Sequence, residues 1–394
     1  MTHLLSRRDF LRRTGFVGCS IAASPLITPV TFAATPSEAR LVVIILRGGM
    51  DGLDVVRPYG DPALRDLRPG LGGGPDNGAH DLDGFYALHP ALGALMPMWK
   101  KGELGFVQAV STPYRDKRSH FDGQDMLEAG TASLAGVRDG WLNRMLQTVP
   151  GVTAQTAYAI GRSDMRLLQG QAQVANWSPE AELGMSPQAQ QLMDLVTESD
   201  PVLHATWQEA QLLASLEEAE AEANGKKRKG AHVRIAEFAA ERLREEARIA
   251  AFSLNGWDTH KRQDRALPRA LDQLSETLIT LRKRLGGDTW GKTSVIAMTE
   301  FGRTARENGT RGTDHGTGGM MILAGGAVQG GRVHGDWPGL GSGDLYQNRD
   351  LMPTRDVRAH AAWVMRGMMG LDRAQLESVV FPGLDMGDDP QLLR

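Results

Sequence analysis

Cysteine is nearly absent from these 394 residues: the one example, Cys19, lies close to the N-terminus. The rest of the chain therefore has no disulfide framework and no thiolate, and it is chemically safe in an oxidising compartment. Past the N-terminal region no apolar stretch approaches the roughly 20 residues needed to cross a bilayer, so no stable membrane span is expected. Basic charge is not in excess either. The formal charge is -3, and no basic run interleaves with aromatics, so nothing recommends nucleic acid as a partner. What is there is 41% hydrophobic and 23% charged, the composition of a globular chain with a substantial core. No internal repeat is visible.

Residues 1-34 stand apart. Ser6-Arg7-Arg8-Asp9-Phe10-Leu11 is a twin-arginine pattern, followed by the weakly apolar Thr14 to Ile27 and by small residues around Ala33. This reads as a Tat signal peptide cleaved after Ala33, with the Tat translocase as partner during export and a periplasmic or secreted destination. Phe16-Val17-Gly18-Cys19 has some likeness to a lipoprotein cleavage box, but the apolar run before it is too short. Residues 35-394 are expected to form a single domain with a helical insertion around 201-248, where Ala, Glu and Leu recur at helical spacing on either side of a basic loop.

Leu41 to Leu46 is a continuous apolar run rich in β-branched residues, the signature of a strand buried on both faces. Further strands are expected at 104-110, 154-160, 249-254, 293-299 and 320-324, and helices at 90-100, 266-285 and 354-369. Alternation of this kind predicts an α/β fold, a mainly parallel sheet flanked by helices.

The chemistry gathers where strands end. Asp51 follows the first strand, either as a ligand or as a turn residue between glycines. Asp258 and His260 follow another; in extended chain, positions i and i+2 share a face and can reach one ion. Glu300 ends a third, and Asp314 with His315 occupies a Gly-rich turn just before the run 320-324. Mixed carboxylates and imidazoles without thiolate suit a divalent metal, zinc first, with manganese or calcium as alternatives, and there are enough of them for two ions. Ser119, beside Arg118, opens a helix. It is either a nucleophile at the helix N-terminus or an ordinary N-cap with Asp122 three residues on.

Five motifs occur in order: Arg47-Gly48-Gly49-Met50-Asp51-Gly52-Leu53, Arg118-Ser119-His120-Phe121, Gly256-Trp257-Asp258-Thr259-His260, Thr299-Glu300-Phe301-Gly302-Arg303-Thr304 and Thr313-Asp314-His315-Gly316. With them the chain resembles, over nearly its whole length, the Tat-exported proteins catalogued as domain of unknown function 1501. That family in turn resembles the alkaline phosphatase and sulfatase superfamily. The resemblance implies an alkaline phosphatase-like sandwich, one metal held by Asp51, Asp314 and His315 beside Ser119, and a second held by Asp258, His260 and His334. Two departures stand out. Only one residue separates Asp258 from His260, and Glu300 takes the place at a strand end where an Asp-His-Gly is usual, which makes Glu300 a candidate ligand.

The expected function is therefore an exported, metal-dependent hydrolase of phosphate or sulfate esters, small or polymeric. Ser119 would be the nucleophile, and Arg118 or Arg303 would neutralise the reacting oxyanion. The alternative is a non-catalytic exported binding or structural protein on the same fold.

Overall fold

The computed structural model describes residues 30-33, 38-115, 118-149, 165-172, 174-177, 230-245 and 247-394, with a few isolated positions between 193 and 207. Most of the expected signal peptide, the expected strand 154-160 and most of the expected first insertion helix lie outside the described residues.

Among the described residues nine strands form one mixed sheet. In chain order they are β1 (Val30–Ala33), β2 (Arg40–Arg47), β3 (Leu104–Ser111), β4 (Ala175–Trp177), β5 (Ile249–Asn255), β6 (Thr293–Met298), β7 (Gly319–Ala324), β8 (Val333–His334) and β9 (Arg355–Asp356). The spatial order is β8-β3-β7-β6-β2-β5-β1-β4, with β9 also paired to β3. At the centre β2 runs parallel to both β5 and β6, as the unbroken apolar run predicts. The sheet is not parallel throughout, because β7 is antiparallel to both β6 and β3. That reversal matters for the site. A strand antiparallel to β6 begins at the end where β6 stops, so the loop between them never leaves that edge.

Both faces of β2 are covered. Val42, Ile44 and Leu46 pack with helices α3 (Ala231–Arg244) and α4 (Gln263–Gly291, broken at Gly286), while Leu41, Val43 and Ile45 pack with α2 (Trp141–Thr148) and α5 (Val357–Met369). Helix α1 (His120–Ala129) follows β3 and begins at the same edge. A small three-stranded sheet built from residues 56-57, 80-81 and 87-88 sits beside this body.

The parallel strands bring their carboxyl ends together, and the chain leaves β2 through a turn that only glycine allows. Gly48 has φ of 125°, and a Cβ there would stand 2.5 Å from the Asp258 backbone nitrogen. Gly48→Ala is therefore expected to lower stability by about 2-4 kcal/mol, because backbone strain adds to a backbone clash. Gly78→Ala, with φ of 84° and nothing within 4 Å of its Cβ, should cost only about 1-2 kcal/mol. Urea unfolding of the two variants checks the difference; equal losses would show that the close approach at Gly48 is unimportant.

Candidate metal centre

Four side chains from three chain segments converge at this edge: His120 from the start of α1, Asp258 and His260 after β5, and His315 before β7. Their ligand atoms all lie within 4.8 Å of one another. Asp258 Oδ1 is 3.0 Å from His260 Nε2 and 3.5 Å from His315 Nε2, and Asp258 Oδ2 is 3.4 Å from His120 Nε2. The Nε2 atoms of His260 and His315 approach to 2.9 Å. Two ligands bound about 2.0-2.1 Å from one ion at a tetrahedral angle stand roughly 3.3 Å apart, so one divalent metal fits this spacing.

The far side of each ring explains why Nε2 points inward. His120 Nδ1 is 2.8 Å from Glu300 Oε1, His260 Nδ1 is 3.1 Å from Asp314 Oδ1, and His315 Nδ1 is 3.0 Å from the Arg118 carbonyl oxygen. An oxygen acceptor draws the ring proton to Nδ1 and leaves the Nε2 lone pair for a metal, the outer-shell arrangement of metal-bound histidines. His120 Nε2 is buried and has no hydrogen-bond partner, although Asp258 is within ion-pair reach. An orphaned buried nitrogen of this kind fits a ligand atom better than a packing residue.

Glu300 is fully buried behind His120. Its Oε1 accepts from the Gly48 N–H (2.9 Å) and the Gln124 amide (3.0 Å), and its Oε2 from Thr299 Oγ1 (3.0 Å). Burial would push its carboxyl up, but hydrogen bonds from His120 and Gln124 outweigh burial and hold it below the usual range. Asp258 is likewise pushed up by burial. The adjacent His120 and His315 imidazoles and the Arg303 guanidinium overcome that and hold its carboxyl well below the usual range. The carboxylates of Asp258 and Glu300 beside the His120 imidazole raise it to about 9.

Several expected positions resolve differently. Asp258 and His260 stand together as expected, but His315, expected at a separate metal with Asp51 and Asp314, joins them in one cluster. Glu300 and Asp314 do not enter the ligand set; each orients an imidazole from behind. Asp51 is apart from the cluster: its Oδ2 accepts from buried Arg68 (2.7 Å) and from Gln263 (2.6 Å), which gives the carboxylate a buried counterion and leaves only its Oδ1 without a hydrogen-bond partner. His334 is also apart, because β8 pairs with β3 at Phe106 and Val107, short of the strand end. Its ring bonds the Gln329 carbonyl oxygen (3.1 Å), and burial lowers its pKa. Arg303 cannot meet a substrate oxyanion, since it is buried with its donors committed to the Gly48, Gly49, Trp257 and Thr313 carbonyls and to Asp258. Ser119 caps α1, its hydroxyl accepting from the Asp122 N–H at 3.3 Å. The ligand that sequence reasoning passed over is His120. Its signal in the sequence is an imidazole beside Ser119 at the start of the helix that follows β3.

Two outcomes follow. Glu300→Gln should weaken metal affinity roughly 10- to 100-fold in chelator competition, since it removes the charge that fixes His120. Metal must also displace the His120 proton, so uptake at pH 7 should release about one proton. Affinity should fall about tenfold for each pH unit below about 9, and calorimetry in buffers of different ionisation enthalpy reads the release.

Comparison with known proteins gives one result. The profile of a family described as a protein of unknown function (DUF1501) matches residues 89–376, a span that contains all four converging side chains and leaves out β2 and Asp51. No curated protein and no solved structure matches the chain. Matched over most of its length, the chain belongs to the DUF1501 family.

Proposed function

We propose that this is an exported, metal-dependent hydrolase of phosphate or sulfate esters, resembling the alkaline phosphatase and sulfatase superfamily. The observation that carries the reading is the set of three Nε2 atoms and one carboxylate turned toward a common point, with each Nδ1 tied to an oxygen behind it. Three imidazoles favour zinc, with manganese second, and argue against calcium, which takes oxygen ligands. One ion is proposed rather than two, since Asp51 and His334 are engaged elsewhere.

The centre is open on one side. The Asp258 and His260 side chains are 48% and 38% exposed, so an ester can approach from solvent. A zinc ion there would polarise an ester oxygen and lower the pKa of a coordinated hydroxyl. The chain supplies the remaining parts. Ser119 immediately precedes His120 at the N-terminus of α1, and the first turn of a helix leaves N–H groups without intrahelical partners, donors that would favour an oxyanion or alkoxide there. Arg303 holds Asp258 from behind at 2.7 Å and fixes its carboxylate before substrate arrives.

The capping bond on Ser119 favours a second reading, in which the same centre binds a ligand without turnover. The two separate cleanly. Purified protein should contain zinc and cleave an aryl phosphate or an aryl sulfate. Ser119→Ala should then lower kcat by roughly 1,000-fold or more while the metal content stays unchanged. Metal-bound wild type that is inert across a broad ester panel would establish the binding reading, and protein that takes up no metal would exclude both.

A further inference from the structure

A second pocket adjoins the centre. It is a small cleft open to solvent, and its walls include Tyr114, Arg118, Phe301, Thr317, Arg349 and Asp350 around His315. His315 is the only one of the four converging side chains that lines it, so the pocket lies beside the metal ligands and not over them. A group seated there is not the group on the metal.

Phe301 and Tyr114 stack at 6.0 Å, and Phe301 also packs on the His315 ring at 4.9 Å, which makes this wall rigid. Arg349 is paired with Asp350 at 2.9 Å and donates to the His315 carbonyl oxygen at 2.6 Å. Thr317 Oγ1 donates to Oδ2 of the same Asp350 at 2.9 Å, while Oδ1 faces the Arg349 guanidinium, so the charge of this carboxylate is matched by Arg349. Arg118 differs. It is exposed, and its guanidinium makes no hydrogen bond or ion pair with the described residues. Its backbone, with φ of 54°, turns the carbonyl onto His315 Nδ1 at 3.0 Å. The two arginines thus grip His315 from opposite sides, one at the ring and one at the backbone, and leave one uncompensated positive charge at the pocket wall.

We infer that this pocket is an anion subsite. It takes a second negatively charged substituent, a sulfate or phosphate carried elsewhere on the substrate molecule, and its occupancy is coupled to the metal through His315. Substrates are then esters bearing more than one anionic group, a specification that rests on the hydrolase reading. An anion drawn to Arg118 restrains the residue whose carbonyl orients a metal ligand, and linkage makes that coupling reciprocal.

The experiment uses the full chain, zinc and inorganic sulfate. Sulfate should tighten zinc binding by roughly fivefold in chelator competition, relative to sodium chloride of equal ionic strength. Arg118→Asn keeps the backbone carbonyl and tolerates the left-handed φ. It should abolish the sulfate effect and leave zinc affinity in chloride within about twofold of wild type, whereas Arg118→Lys should restore part of the effect. With turnover, wild type should prefer an aryl ester carrying a second sulfate over the monoanionic parent, and Arg118→Asn should lose the preference through KM. An unchanged sulfate effect in Arg118→Asn would overturn the subsite, because the anion would then be on the metal. No sulfate effect in wild type overturns it equally. If every ester is inert while the Arg118-dependent coupling persists, the hydrolase reading fails and the anion subsite stands.

Discussion

The buried guanidinium of Arg303 is the constraint on which the site depends. A charge removed from water is costly unless its donors are satisfied, and here they are, by the carbonyls of Gly48, Gly49, Trp257 and Thr313 and by the Asp258 carboxylate. Those acceptors lie on three separate segments: the turn after β2, the turn after β5 and the loop that leads into β7. One side chain therefore sets the spacing of three strand ends. It also explains the glycine at position 48, where a Cβ would stand 2.5 Å from the Asp258 backbone nitrogen. The guanidinium draws these turns together, and the missing side chain lets them meet.

On this frame the imidazoles are aimed by electrostatics. Each Nδ1 faces an oxygen, and two of the three are carboxylate oxygens, so the lone pairs are directed inward. Glu300 illustrates how much structure one orientation takes. Its carboxylate gathers donors from the turn after β2, from its neighbour Thr299 and from Gln124 one helical turn beyond His120. Gln124 is held in turn by Arg47 at 2.7 Å, and Arg47 is paired with buried Glu128 at 2.5 Å. The N-terminus of α1 is thereby fixed to the end of β2, and His120 with it.

Much of the sheet was legible because its signal is local. The run of residues 41-46 predicts a strand buried on both faces, and β2 is one; β3, β5, β6 and β7 fall within a residue or two of their expected limits. The direction of β7 was not legible, since apolar composition is the same for parallel and antiparallel neighbours. This one reversal accounts for the unusual delay between Glu300 and His315. A chain that returns along the adjacent strand can spend many residues in a loop and still deliver His315 beside the end of β6.

The sequence by itself determined the alternation of strands and helices, the family, and the edge at which acids and imidazoles would collect, because strand periodicity and the order of motifs are properties of neighbouring residues. Only the tertiary structure decided which of those residues share a point. Asp51 had a buried arginine waiting for it, His334 was paired partway along β3, and Arg303 was consumed in holding turns together. His120 took the place next to Asp258 instead. The physical reason is that ligation requires convergence within a few ångströms and an uncommitted lone pair. Both depend on partners that lie tens to hundreds of residues away in the chain, as Glu300 does from His120.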